Sequence, residues 1–140
     1  MIAVDSSVLV DLLGGGALAR PAETALRDAL AAGPVVACEV VIAEVVAGLG
    51  HGSEMVDALE GAGIRFSALE FRSAARAGEM QRRYQERRRA AGEPGPGPRS
   101  VPDFLIGAHA LLQCQALLTR DTGFYRDYFK GLKLLAPQPA

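Results

Sequence analysis

The chain has 140 residues, 49% hydrophobic and 22% charged, with a formal net charge of −1. This describes one globular domain over residues 1–140 with an ordinary core, and it excludes a disordered chain. The charge balance excludes binding to nucleic acid or membrane through an overall field, so a polyanion must be met by a local patch.

Two cysteines, Cys38 and Cys114, cannot build a disulfide framework and read as buried thiols. The first basic residue is Arg20, so the start lacks the positive region of a secretory signal. Glu39 and Glu44 break the longest apolar run, which removes a membrane span and leaves the cytoplasm as the expected address.

In chain order, Met1 to Val4 is an apolar, β-branched run suited to a strand. Residues 7–13 predict a short helix stopped by the glycines at 14–16. "RPAETALRDALAAG" (20–33) predicts a helix with Ala22, Ala25, Leu26, Ala29 and Leu30 on one face and Gly33 at its end. "PVVA" (34–37) is a second strand. "CEVVIAEVVAGLG" (38–50) follows as a helix with Glu39 in its first turn, where the dipole favours an anion. Another helix starts at Ser53 and ends at the glycines at 61 and 63, and "IRF" (64–66) is a third strand. "SALE" (67–70) has the spacing of a capping box and opens a long helix to about Ala91. "GEPGPGPRS" (92–100) must be a loop. Pro102 suits the first position of a helix, "VPDFLIGAHALLQCQ", that is apolar nearly all round and therefore buried. "ALLT" (116–119), "TGFYRDYF" (122–129) and "LKLL" (132–135) complete the order as strand, helix and strand. Strands alternating with helices predict an α/β fold of three layers, α/β/α: a central parallel sheet of about five strands with helices on both faces.

In such sheets ligands bind beyond the carboxyl ends of the strands. Asp5 ends the first strand, Asp121 follows the fourth, and Asp103 stands in the first turn of the helix leading into the fourth. Glu44 sits inside an apolar helical segment; Glu39, five residues back, lies about 140° away around the helix. Each acid alone has a plainer use: Asp5 as a cap accepting the amide of Ser7 or Val8, Asp103 serving its own dipole, Asp121 as a turn residue, Glu44 reaching to an edge. Together they are costly. Two carboxylates about 4 Å apart repel by roughly 4 kcal/mol at an effective dielectric near 20, against a total stability of about 5–15 kcal/mol. Either the four do not gather or a cation holds them. All-oxygen ligation suits Mg²⁺ or Mn²⁺, and neither His51 nor His109 stands at zinc-ligand spacing with a cysteine.

"MIAVDSSVLVDLL", "VVIAEVVAGL", "PDFLIGAHALL" and "LLTRDTGFYRDY", in this order and spacing, resemble PIN domains, specifically the VapC-type toxins of bacterial toxin–antitoxin pairs. The resemblance covers essentially the whole chain. It implies an endoribonuclease dependent on Mg²⁺ or Mn²⁺, with Asp5, Glu44, Asp103 and Asp121 as its acidic quartet and Ser6 ordering the site by hydrogen bonding. Within the quartet the three aspartates, each held by backbone, are the expected direct metal ligands. Glu44, on a longer arm, is expected to hold the water or a second metal or to act as general base. It also implies an RNA substrate, a VapB-type antitoxin partner and a homodimer. Two positions depart from the family: Cys38 stands where a capping Ser or Thr is usual, which weakens that cap, and Gly123 stands where a further acid is common.

An acidic site needs basic residues nearby to receive RNA. "QRRYQERRR" (81–89) carries five arginines that read mostly as a solvated face complementing a helix C-terminus, while Arg99 and Arg120, each close to a site acid, are the expected phosphate contacts. Two rivals remain. A phospho-receiver signalling module needs paired acids after the first strand and a lysine after a late one, whereas Ser6-Ser7 follow Asp5 and the lysines are Lys130 and Lys133. A non-catalytic PIN-like scaffold would bind partners only.

Overall fold

The computed structural model describes residues 1–139. The elements run β1 (Ile2–Val4), α1 (Ser6–Gly14), α2 (Ala19–Ala32), β2 (Val35–Ala37), α3 (Glu39–Leu49), α4 (Gly52–Gly61), β3 (Ile64–Phe66), α5 (Phe71–Ala90), α6 (Val101–Gln113), β4 (Ala116–Leu118), α7 (Thr122–Tyr128) and β5 (Lys133–Leu135). The three-layer α/β/α expectation holds: five parallel strands form one sheet in the order β3-β2-β1-β4-β5. β1, β2 and β4 are buried at every residue, as a sheet covered on both faces requires.

The order reverses at β1. The chain moves outward from β1 through β2 to β3, then returns to lay β4 on the other side of β1, pairing Ile2 with both Val35 and Ala116. Right-handed crossovers in the two directions place their helices on opposite faces. Accordingly α1 packs on α2 and α3, α3 on α4, and α5 on α6. The crevice between the carboxyl ends of β1 and β4 is the switch point of the sheet, the usual place for a ligand. β3 lies at an edge, two strands from β1, so its carboxyl end is remote from Asp5; the receiver order 2-1-3-4-5 is not the one seen.

Some local expectations are corrected. Residues 67–70 do not cap the long helix. α5 begins at Phe71, and Glu70 in the N-cap position makes no side-chain capping bond. Tertiary partners take those groups instead: Ser67 Oγ lies 3.0 Å from His109 Nε2, and the Glu70 amide donates to Gln113 Oε1. A capping box does form at the start of α6, where the Ser100 amide donates to Asp103 Oδ2 at 3.0 Å. Pro102 is the second residue of α6 rather than the first, α1 opens at Ser6, and α4 opens at Gly52 behind His51 in the left-handed region (φ 56°).

Six of the eight aromatic side chains, Tyr84, Phe104, Phe124, Tyr125, Tyr128 and Phe129, form one cluster that ties α5, α6 and α7 together. α6 fits beneath it through a glycine. A Cβ on Gly107 would collide with the ring of Phe129, which is itself buried. Gly107→Ala is therefore expected to destabilise the fold by about 1–3 kcal/mol through overpacking, although alanine is the better helix former. Denaturant midpoints measure it, and an unchanged or raised midpoint would show that the ring gives way freely.

Candidate active site

Asp5 is the last residue before α1 and one of few buried polar groups, 5% exposed. Its amide donates to Leu118 O, which joins it to the end of β4. It occupies the N-cap position without the capping bond that its plainer use required. Three hydroxyls take its carboxylate instead: Thr119 at 2.7 Å, Ser7 at 2.9 Å and, more loosely, Ser6 at 3.4 Å. Burial pushes the Asp5 carboxyl above its ordinary range; the Thr119 and Ser7 hydroxyls and the Ser6 amide pull it down without cancelling the effect, and Asp121 adds to the rise.

Ser6 connects two acids. Its hydroxyl lies 2.9 Å from Glu44 Oε1 as well as beside Asp5, and because a hydroxyl has one proton it donates to one carboxylate at a time. Glu44 projects from the middle of α3, half-buried, and its pKa is also raised, first by burial and then by Asp5 and Asp103. Glu39 points elsewhere: its Oε1 accepts the Leu69 amide at 2.7 Å. Cys38 precedes α3 with no side-chain cap, as its thiol implied.

Asp103 is held by its capping bond to Ser100 and reaches the site from the first turn of α6. Asp121 precedes α7; its amide donates to Thr119 Oγ1 at 3.0 Å, and both carboxylate oxygens are taken by the Arg99 guanidinium, Nη2 at 3.1 Å from Oδ1. Thr119 thus links Asp5 to Asp121 while fully buried.

The four sequence-predicted acids converge on one edge. Tyr125, almost wholly buried, feels the charge of all four, and burial followed by those charges keeps its phenol neutral. Among the described residues, however, no three side chains of His, Cys, Asp or Glu stand close enough to hold one ion between them. Asp5 and Glu44 are bridged by the Ser6 hydroxyl. The two expected phosphate contacts are both engaged with carboxylates: Arg99 on Asp121, stacked over the Phe124 ring at 4.4 Å, and Arg120 on Asp11 at 2.7 Å. His109 is buried with a lowered pKa, caused by burial, and the free thiols Cys38 and Cys114 are pushed up by burial, Cys114 to about 11. None of these belongs to the acidic edge.

Thr119 and Tyr125 were missed from sequence. Thr119 reads as the last β-branched residue of a strand, and only its position opposite Asp5 across a parallel pair reveals the hydroxyl's use. Tyr125 carries no signal beyond its place on a short helix following a site acid.

An open parallel sheet with carboxylates gathered at its switch point defines a class of α/β proteins with an anionic, ligand-binding edge. The chain belongs to the PIN domain family, whose model matches residues 2–130. No curated protein matches it. Among solved structures it is similar to a toxin–antitoxin complex from Klebsiella pneumoniae (21% identity, TM-score 0.64, all of both chains). It is also similar to VapBC2 from Rickettsia felis bound to a DNA fragment from their promoter (16%, TM-score 0.66, 99% of this chain and 100% of that one). A third is VapC20 from Mycobacterium tuberculosis, a sarcin–ricin loop cleaving toxin (19%, TM-score 0.62, 95% and 99%).

The raised Asp5 carboxyl has a consequence for stability. A carboxyl whose native pKa lies above its unfolded value contributes nothing once pH is below both, and disfavours folding as pH rises through the native value. Asp5→Asn removes that burden. The variant is expected to exceed the wild type in denaturant midpoint near neutral pH, with the gap closing as pH falls into the acid range. A gap of constant size across that range would show that the Asp5 charge carries no such cost.

Proposed function

We propose that this chain is a divalent-metal-dependent endoribonuclease, the toxin of a toxin–antitoxin pair, working in the cytoplasm with a VapB-type antitoxin and as a homodimer. The observation that carries the reading is the Asp5–Ser6–Glu44 contact at the switch point, with Asp103 and Asp121 in the same field. Gathering like charges in a half-buried edge is expensive, and the PIN family and the toxin–antitoxin neighbours support a nuclease as the reason for it.

The donor set fits Mg²⁺ or Mn²⁺ by its chemistry. It is all oxygen, anionic and free of histidine and thiolate, and magnesium commonly takes one or two carboxylates while keeping several waters, so a closed cage of three is not required. Of Asp5, Asp103 and Asp121, one or two would hold the ion directly and the rest through its bound waters, since no three of the described acids stand close enough to share it. When bound, such an ion neutralises charge on the phosphodiester and lowers the pKa of water. The protein's own residues supply the rest. Glu44, its pKa raised by burial, is suited to take a proton from the attacking water; Ser6 occupies Oε1 and leaves Oε2 for it. Ser7 and Thr119 fix the Asp5 carboxylate so that little reorganisation is left for the reaction. Arg99 neutralises Asp121 in the resting site, and a basic group from the antitoxin would meet the remaining acids in the same manner.

Incubation of labelled RNA with Mn²⁺ or Mg²⁺, and with EDTA, tests the reading. Metal-dependent cleavage is expected for the wild type, none for Asp5→Asn, and a loss of about 10²–10⁴-fold in rate for Glu44→Gln. Full activity in Asp5→Asn would remove Asp5 from the mechanism, and an inert wild type would leave the non-catalytic scaffold in its place.

A further inference from the structure

Two cavities along α5 contain no site acid, yet the second reaches Arg99 at the acidic edge. One, of about 300 Å³, is lined by Arg76, Arg83, Arg87 and Lys130 over a floor that includes Met80 and Leu111. The other adjoins it, sharing Arg87, Asp127 and Tyr128, and continues to Arg99, which sits on Asp121.

The arginines of residues 81–89, alike in sequence, part company here. Arg76, Met80, Arg83 and Arg87 follow at i, i+4, i+7 and i+11, within about 60° of helical arc, a single stripe about 16 Å long. Arg82 and Arg89 point to the opposite side. Arg82 is paired with Glu86 in solvent. Arg88 is half-buried and in structural use, donating to Glu93 and to Pro94 O and so holding the loop at 92–100. In the stripe, Arg83 and Arg87 make no ion pair among the described residues, and Arg76 has a loose one with Glu79 at 3.9 Å. The Arg87 guanidinium lies 5.1 Å over the Tyr128 ring, which places a π face beside the cations.

We propose that this groove is the track for the substrate strand: a single-stranded RNA whose phosphates lie along Arg76, Arg83, Arg87 and Lys130, with Tyr128 offering a face for a base, and which passes Arg99 to reach the acids. The proposal rests on the nuclease reading for its direction and on the groove for its geometry. Four cations lining one groove, with Asp127 the acid among its lining residues and Glu79 loosely on Arg76, form the local patch that a chain of net charge −1 needs to receive a polyanion. Interleaved arginine and aromatic groups favour a nucleic acid over an acidic peptide, because bases stack where carboxylate side chains cannot.

The test is binding of a labelled single-stranded RNA oligomer to the intact protein in EDTA, where no cleavage occurs, over a range of salt. Four phosphate contacts predict a slope of log K against log salt of about −2.8 for a single strand. Arg83→Gln with Arg87→Gln is expected to weaken binding about tenfold at moderate salt and to flatten the slope by about 1.4. Arg83→Lys with Arg87→Lys is expected to keep the slope. Arg82→Gln with Arg89→Gln, the same charge change on the other side of the helix, is expected to alter neither quantity. Equal losses in both glutamine pairs, or a loss in neither, would overturn the track. So would a groove pair that loses affinity for a poly-glutamate peptide while RNA binding stays unchanged, since the groove would then serve an acidic protein segment. Because metal is absent from the binding arm, a wild type that fails to cleave RNA leaves this result standing, and a groove variant that binds as wild type leaves the nuclease reading standing.

Discussion

The structure turns on a charge placed where charge is least welcome. Asp5 ends the central strand of the sheet, with neighbours on both sides and helices above and below, and is almost shut off from water. A carboxylate there is tolerated because hydroxyls from both adjoining segments face it: Ser6 and Ser7 from the turn into α1, Thr119 from the end of β4. Those bonds compensate in part, since its pKa remains raised. Glu44, Asp103 and Asp121 then approach from three different helical segments and add repulsion that nothing in the core returns. A fold that only needed to be stable would place apolar or neutral groups at that edge. Retaining acids there is a sign of binding chemistry rather than of packing.

The helical layer of α5 and α6 supplies the counterweight. Tyr84 and Arg88 of α5 hold the loop at 92–100, Tyr84 through its hydroxyl to the Arg99 amide. Gly97 lies so close to both side chains, and in the left-handed region (φ 84°), that no other residue fits without displacement. The loop thereby delivers Arg99 to Asp121, with Phe124 stacked beneath the guanidinium. A basic helix and an acidic sheet edge, which read as unrelated features in the sequence, meet through this connector.

The layered fold was legible because strands and helices announce themselves by different periodicities, and each strand candidate falls in the sheet. The convergence of Asp5, Asp103 and Asp121 was legible too, since topology alone carries residues at strand ends and at a helix start to one edge. What sequence concealed were uses decided by tertiary neighbours. Ser67 and Glu70 had capping spacing, yet His109 and Gln113 claimed them. Arg99 and Arg120 were close in sequence to site acids and so read as free cations, whereas one pairs with Asp121 and the other with Asp11. The five arginines at 81–89 could not be sorted until the phase of α5 against its neighbours was known.

The loop at 92–100 has a mechanical implication. Its anchor belongs to the outer helix, whereas the acids it reaches belong to the sheet, so the distance between Arg99 and Asp121 is a gauge of how one layer sits upon the other. Glycines in the left-handed region at 92, 95 and 97 give that connector its curvature. A displacement of α5 would thereby reach the electrostatic balance of the acidic edge without any strand having to shift.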